Sequence, residues 1–272
     1  RFGRKQFGIN EKNHSFHSRN VLSISLAHFI HDVYSFFLSP ILPLLIEKFS
    51  LSYFSAGLLD FARRFPSILN PFIGMYIGRY RIKYVVIFTP AITCSSMSLI
   101  GVAPHYTVLV ILLLIMGISN AFFHAPAPVM IKTFAGERVG KGMSYYMVGG
   151  ELARTLGPVI IVGAVSLWSL EGTYRLIPFG IAASLWLWFR FKDMEIQKKT
   201  GSEQEKGFKQ TLKKHLWLFL LLGGIIFFRA IMKIAIINFL PTYLKETGKT
   251  LWFGGIFLSV FQVSGPILTY FA

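Results

Sequence analysis

The first strongly apolar segment of the chain carries polar residues whose types and spacing suit proton exchange. His28 and Asp32 lie four residues apart, and Ser35 and Ser39 continue along the same face of a helix. A buried imidazole and a buried carboxyl can both take up and release protons near neutral pH. We therefore predict that His28 and Asp32 form a proton-coupling pair. A structural polar contact within the helix is the alternative interpretation.

His31 lies in the same segment, and histidine and aspartate are common metal ligands. On one helix, His28, His31 and Asp32 are not expected to face a single point. The one cysteine of the chain, Cys94, is distant from them in sequence. The sequence therefore predicts no metal site, and it contains no motif that calls for a cofactor.

Three further apolar segments carry charged residues far from their ends. An ionisable group near the middle of a bilayer costs at least about 2.5 kcal/mol, so each one needs a partner, water or a function. Asp60 can reach arginines three and four residues later, and Glu151 precedes Arg154 by three. These spacings predict ion pairs within helices. Arg229 and Lys233 share a helical face with no acid in their own segment.

The buried charges leave a positive surplus, which favours a cavity that attracts anionic ligands. An anionic substrate would balance the surplus, and acids on helices outside this sequence would do so equally well. Asn120 and His124 share a face of a fourth segment that Pro126 is expected to end, and His124 is expected at the cavity mouth. The predicted substrate-cavity residues are Arg63, Arg64, Asn120, His124, Arg154, Arg229 and Lys233, and the predicted proton-coupling residues are His28, Asp32, Asp60 and Glu151.

The elements that must position these residues are transmembrane helices. The 272 residues are 53% hydrophobic and only 15% charged, and the mean hydropathy is +0.55, which excludes an ordinary soluble protein. The net charge of +16 would suggest a nucleic-acid partner in a soluble chain, but here we expect none. Apolar runs long enough to cross a bilayer are predicted at Val21–Glu47, Ser52–Gly78, Tyr84–Val102, Tyr106–Ile131, Met143–Trp168, Tyr174–Phe191, Leu216–Leu240 and Trp252–Ala272.

The basic residues predict the orientation of these spans. Nineteen of the 28 Lys and Arg residues lie before the first span or in or beside the even-numbered loops, and four lie on the opposite side. By the positive-inside rule, the N-terminus is cytoplasmic in a multi-pass protein of the cell membrane.

The order of the spans predicts two bundles. Residues 1–20 form a cytoplasmic segment, 21–191 a six-helix bundle, 192–215 a cytoplasmic linker, and 216–272 the incomplete start of a second bundle. A shift of 198 positions pairs Leu42-Pro43 with Leu240-Pro241 and Gly57 with Gly255, as in transporters built from two parallel halves. Four spans of the second half are then expected to lie outside this sequence, which begins with Arg1 rather than methionine.

The loop between the second and third spans resembles that of the major facilitator superfamily. Residues 74–83 (GMYIGRYRIK) keep Gly74 and the basic residues Arg79 and Lys83, but have Gly78 in place of the acid and Arg81 in place of the second glycine. The resemblance implies a gating role for Gly74, Arg79 and Lys83. It also implies the major facilitator fold, here the first six-helix bundle and the first two helices of the second, in an all-α integral membrane protein.

Three segments are similar to a narrower branch, the fosmidomycin-resistance-type efflux permeases. They are His28-x-x-x-Asp32 followed by Pro43-Leu44-Leu45, Gly117-x-x-x-Ala121-x-Phe123-His124, and Gly149-Gly150 through Leu156-Gly157-Pro158. The last segment also resembles the glycine-proline element of antiporters, which implies a hinge at Gly157 and Pro158. The branch implies proton-driven export, and its namesake drug is a phosphonate.

Together, these observations predict a secondary transporter that works by alternating access. Proton-coupled efflux of drug-like or anionic compounds is the first hypothesis, and proton-coupled uptake of organic anions is the second. A membrane receptor without transport activity is a third, which the number of buried charges disfavours, and no motif indicates an enzyme. The expected partners are a small-molecule substrate, protons and the lipid bilayer. The sequence does not define the oligomeric state, and a monomer is our working expectation.

Overall fold

Transmembrane-type helices make up almost all of the computed structural model, which describes residues 15–70, 72–73, 82–193, 214–263 and 265–267. Within these ranges the backbone forms α-helices and short 3-10 turns and contains no strand. The helices are α1 (Ser18–Ser35), α2 (Leu38–Phe49), α3 (Tyr53–Arg64), α4 (Ile82–Ser98), α5 (Tyr106–His124), α6 (Ala127–Ala135), α7 (Val139–Trp168), α8 (Ile177–Phe191), α9 (Leu216–Glu246) and α10 (Leu251–Gln262). The 3-10 turns are Phe65–Leu69, Ile100–Val102 and Glu171–Leu176.

Five stretches of the described chain are long and apolar enough to cross a bilayer. They correspond to five of the predicted spans, and the predicted all-α membrane fold is confirmed. Within the described residues, the second predicted span contains α3 and its 3-10 turn, the sixth contains α8, and the eighth contains α10. The second and eighth predicted spans also include residues outside the described ranges. The stretches are Ser18–Phe49, Lys83–Val102, Tyr106–Ala135, Val139–Trp168 and Leu216–Glu246.

The first span is broken in its middle, so the predicted uninterrupted polar stripe is wrong. α1 ends at Ser35, and α2 begins at Leu38 after a tight turn in which the Phe37 N–H bonds Tyr34 O at 3.1 Å. The physical cause is Pro40. A proline has no N–H to donate to the carbonyl oxygen four residues earlier, here that of Phe36, and its ring clashes with that carbonyl group.

Glycines on α7 allow α1 to approach it closely. A Cβ at Gly157 would lie 2.8 Å from the carbonyl oxygen of Val33 and 3.0 Å from Cβ of Phe36, next to the break in the first span. A Cβ at Gly150 would lie 2.8 Å from Nε2 of His28. The side-chain-free faces of these glycines therefore set the distance between the two helices.

α9 and α10 pack against α2 and α7 of the first group of helices. α9 contacts α2 near its C-terminal end, where Ile237, Asn238, Pro241 and Thr242 are buried, while most of its N-terminal part is exposed. α10 packs against α7, where Nε2 of Gln262 donates to the carbonyl oxygen of Arg154 at 3.2 Å. The predicted division into two bundles stays a prediction.

Candidate functional site

The carboxylate of Asp32 is the centre of a buried cluster with three histidines. Its Oδ2 lies 3.1 Å from Nε2 of His28, and its Oδ1 lies 2.9 Å from Nδ1 of His31 and 3.1 Å from Nε2 of His124. His28, His31 and Asp32 are at most 7% exposed. The expectation that these three residues cannot face one point is wrong, because the carboxylate offers two oxygens and the His31 ring reaches back to one of them.

Residues of α7 hold the His28 ring in place. Its Nδ1 lies 2.7 Å from the carbonyl oxygen of Tyr146 on α7, and the two rings stack with centroids 3.9 Å apart. Gly150, one turn further along α7, leaves room for the ring because it has no side chain. The imidazole is therefore fixed with Nε2 directed at Asp32.

The His31 ring is held by α4 and α5. Its Nε2 lies 2.9 Å from Oγ1 of Thr93, whose hydroxyl donates to Oγ of Ser119 at 2.8 Å. The ring also stacks on Phe123 with centroids 4.3 Å apart. The sequence assigns no role to His31, because its partners other than the adjacent Asp32 are 62 or more residues away and no local pattern connects them.

His124 joins the cluster, and its position at a cavity mouth stays a prediction. α5 ends at His124, one turn after Asn120, which is half-buried. Nδ1 of His124 lies 3.4 Å from Oη of Tyr146, and the opposite ring nitrogen faces Asp32. The proline after His124 was a visible signal for the end of this helix, but the contact with Asp32 depends on how α5 packs against α1.

The ion pairs predicted within helices are both present. Asp60 bonds Arg63 through Oδ1 and Arg64 through Oδ2, the latter at 2.6 Å. Glu151 and Arg154 approach to 2.8 Å. Two guanidinium groups share the one carboxylate of Asp60, so this group of three keeps a net positive charge.

Two of these cationic side chains each contact the break in the first span. Nη1 of Arg63 donates to the carbonyl oxygen of Ser35 at 3.1 Å, a carbonyl at the end of α1. The guanidinium of Arg154 lies 5.4 Å from the centre of the Phe36 ring. α3 and α7 thus place positive charge on the break, about one helical turn from Asp32.

The remaining predicted cavity residues lie on α9. Arg229 is exposed, and Lys233 is half-buried. Lys233 interacts electrostatically with Glu151 and Arg154 on α7 and with Arg229. A cavity of about 400 Å³ lies elsewhere, lined by Tyr53, Phe239, Thr242, Tyr243 and Glu246, and includes none of the predicted cavity residues.

The predicted gating loop lies mostly outside the described residues, which include neither Gly74 nor Arg79. Lys83 is described, and its Nζ donates to the carbonyl oxygen of Lys192 at 2.5 Å. At the predicted hinge, Gly157 packs against the break in the first span. Pro158 lies inside α7, which continues to Trp168. The gating and hinge roles stay predictions.

His28, Asp32 and His124 have the ligand types and the spacing that a metal ion needs, with the three ligand atoms within 4.8 Å of one another. The same atoms already lie at hydrogen-bond distances from each other, and His31 shares an oxygen of Asp32 with His124. Hydrogen bonds satisfy this arrangement, and the absence of a metal site stays a prediction.

The described chain is a multi-pass helical membrane protein. It has long apolar helices, a broken first span and buried ionisable side chains. The sequence profile of the Major Facilitator Superfamily matches residues 24–272. The chain therefore belongs to this superfamily.

Two known proteins are similar to this chain. The fosmidomycin resistance protein of Escherichia coli (strain K12) is 25% identical over 139 residues, which are 51% of this chain and 34% of that protein. An uncharacterized MFS-type transporter of Bacillus subtilis (strain 168), YfnC, is 25% identical over 197 residues, which are 70% of this chain and 46% of that protein. The chain thus covers less than half the length of either relative.

Proposed function

We propose that the protein containing this chain is a secondary transporter that exports drug-like or anionic compounds across the cell membrane in exchange for protons. Alternating access would expose a site between two bundles first to one side of the membrane and then to the other. The N-terminus is cytoplasmic in this proposal, as the distribution of basic residues predicts.

The observation that carries the proposal is the buried carboxylate of Asp32 in contact with three histidines. Burying an ionisable group inside a membrane protein costs free energy, so such a group usually marks a function. Imidazole and carboxyl groups are the usual carriers of protons there. Asp32 and His28 are assigned to proton coupling. Asp60 and Glu151 are assigned as counter-charges for the arginines.

The positive charge near the break in the first span supports an anionic substrate. Arg63 and Arg154 flank the break, and Lys233 brings another positive charge toward Arg154. Asp60 and Glu151 cannot balance all of these cations, so an anion would be attracted. The name of the Escherichia coli relative refers to resistance to a phosphonate, which is an anion of this kind.

The test is transport by the full-length protein in proteoliposomes with an imposed pH gradient and labelled fosmidomycin as the probe. If protons and fosmidomycin are exchanged, the gradient drives fosmidomycin into the more acidic compartment. If they are cotransported, it drives fosmidomycin into the less acidic compartment. Accumulation on the acidic side supports export by exchange. Accumulation on the other side would replace it with the uptake hypothesis.

Asp32→Asn tests the residue assignment in the same vesicles. We expect gradient-driven flux to fall at least about tenfold while fosmidomycin binding is kept, because the carboxylate and not the fold is removed. Glu171→Gln is the matched control, since Glu171 lies outside the cluster and pairs with Lys48. Unchanged flux in Asp32→Asn would contradict the role of Asp32 in proton coupling.

A further inference from the structure

The hydrogen bonds around Asp32 determine where the protons of its neighbours must be. His28 has both ring nitrogens in polar contacts, Nδ1 with the Tyr146 carbonyl oxygen and Nε2 with Oδ2 of Asp32. A carbonyl oxygen can only accept, so Nδ1 must carry a proton. A neutral His28 would then direct the lone pair of Nε2 at a carboxylate oxygen 3.1 Å away. That contact is favourable only with one additional proton between the two atoms.

The same reasoning applies independently to His31. The Ser119 hydroxyl donates to the carbonyl oxygen of Thr89 at 3.1 Å, and the Thr93 hydroxyl donates to Ser119. Oγ1 of Thr93 therefore accepts from Nε2 of His31, which must carry a proton. A neutral His31 would direct the lone pair of Nδ1 at Oδ1 of Asp32, 2.9 Å away. A second additional proton is needed there.

His124 needs no additional proton. The hydroxyl of Tyr146 is placed to donate to Nδ1 of His124, which leaves the proton of the neutral ring on Nε2. Nε2 then donates to Oδ1 of Asp32 at 3.1 Å. The three histidines are thus not equivalent, and only His28 and His31 are fixed in the tautomer that leaves a lone pair facing the carboxylate.

We propose that the cluster of Asp32, His28, His31 and His124 is a binding site for two protons. With three neutral imidazoles and an ionised carboxylate its charge is −1. One proton then binds between Asp32 and His28 and another between Asp32 and His31, so the charge becomes +1. Each proton is shared by an oxygen and a nitrogen, no other bond changes, and both protons leave when the site opens to a less acidic solution.

Charged groups on the surrounding helices act on the second proton in particular. Arg63 on α3 and Arg154 on α7 lie near the break in the first span and oppose a further positive charge. Asp60 and Glu151 offset part of this effect, while α4 contributes the neutral Thr93 and α7 the neutral phenol of Tyr146. The two protons therefore bind in two separate steps.

This inference rests on the proposed proton coupling and specifies how many protons the site carries. It can be tested without transport, on full-length protein in detergent and without substrate. Proton uptake is measured by potentiometric titration from about pH 9 to about pH 5 for the wild type and Asp32→Asn. We expect the variant to take up two fewer protons per molecule, because His28 and His31 stay neutral when buried without the carboxylate.

A difference of one proton or none between these two proteins would overturn the inference. An ordinary Asp carboxyl takes up only a small part of one proton in this pH range. Glu171→Gln is the control, and its proton uptake is expected to be almost the same as that of the wild type. In a His31→Gln background, the effect of Asp32→Asn is expected to fall from two protons to one.

Variants that keep Asp32 supply a second measurement. In proteoliposomes the number of protons exchanged per fosmidomycin is obtained from the substrate gradient that just balances the pH gradient. We expect two protons per fosmidomycin for the wild type and one for His28→Gln and for His31→Gln. His105→Gln, at the exposed start of α5, is the control and is expected to keep two. A ratio of one in the wild type would overturn the two-proton site and leave proton coupling intact. Two bound protons without gradient-driven transport would instead contradict the proposed function alone.

Discussion

The cluster around Asp32 and the contact between α2 and α9 are both polar, but they are built in opposite ways. The cluster lies inside one group of helices, joins three residues of α1 to one of α5, and is buried apart from His124, whose side chain is 31% exposed. The contact between α2 and α9 combines a buried bond of Ser39 with Asn238 and an ion pair of Glu47 and Lys245, whose side chains are 73% and 34% exposed. Most of the cluster is thus protected from water, whereas the ion pair between α2 and α9 is open to it.

The α2–α9 contact also has a symmetry that the cluster lacks. Glu47 and Lys245 are 198 residues apart, which is the period found in the sequence, and Ser39 bonds Asn238 at a separation of 199. When equivalent positions of two repeats touch each other, they must lie near the axis that relates the repeats. Exposed ion pairs contribute only about 0–1 kcal/mol, so the pair of Glu47 and Lys245 adds little to the stability of this contact, and its buried part is the bond of Ser39 with Asn238.

The largest expected effect comes from Arg63→Gln, which breaks the support of the cluster from α3. The variant leaves the Ser35 carbonyl without its guanidinium and removes a buried charge from Asp60, so we expect a loss of about 2–3 kcal/mol of stability. The measurement is the thermal unfolding temperature in detergent. Arg64→Gln is the control, because Arg64 is 42% exposed and its loss leaves Asp60 paired with Arg63. Equal effects of the two substitutions would contradict a special role for Arg63.

Gly150→Ala tests whether the cluster needs the close approach of α1 and α7. The new Cβ would lie 2.8 Å from Nε2 of His28 and would push the ring away from Asp32. We expect gradient-driven transport to fall about tenfold, which corresponds to about 1.4 kcal/mol. Gly140→Ala on the same helix has nothing within 4 Å of its Cβ and serves as the control. If both variants transport normally, the position of the His28 ring does not limit transport.

Charge exchange across the axis tests the second region. Lys245→Glu or Glu47→Lys alone places like charges together, and we expect a shift of about two- to fivefold toward the state in which α2 and α9 are apart. The double variant should restore the wild-type distribution, since the two positions only trade places. Distances between spin labels on α2 and α9 measure the shift, with Lys249→Glu as the control. Failure of the double variant to recover would argue against an ion pair as the contact.

The smallest expected effect is the pH dependence of a pair outside the membrane spans. The hydrogen bond from Lys48, at 2.8 Å, holds the pKa of Glu171 below its usual value. A lowered pKa adds stability above the ordinary Glu value of about 4.3 and loses it as the pH falls through the lowered value. Because Glu171 is 57% exposed, Glu171→Gln should cost only a few tenths of a kcal/mol at neutral pH and nothing in strong acid. A larger difference at low pH than at neutral pH would contradict this sign.

Local spacing was enough to predict some of the site. The pairs of Asp60 with Arg63 and Arg64, and of Glu151 with Arg154, follow from separations of three and four residues on a helix. The break in the first span is marked in the sequence by Pro40, whereas the polar spacing of Ser35 and Ser39 favours a continuous helix. A proline's missing N–H outweighs the spacing of side chains on a helix.

Hydropathy and charge alone determined that this chain crosses a membrane as helices, because an apolar segment without water must satisfy its backbone hydrogen bonds internally. The tertiary structure alone decided that His124 meets Asp32 and that the ring of His31, the preceding residue on α1, is held against the same carboxylate. His124 reaches Asp32 from α5, while Thr93 on α4 and Phe123 on α5 hold the ring of His31. Side chains on different helices have no shared period in the sequence, so only packing can bring them to one carboxylate.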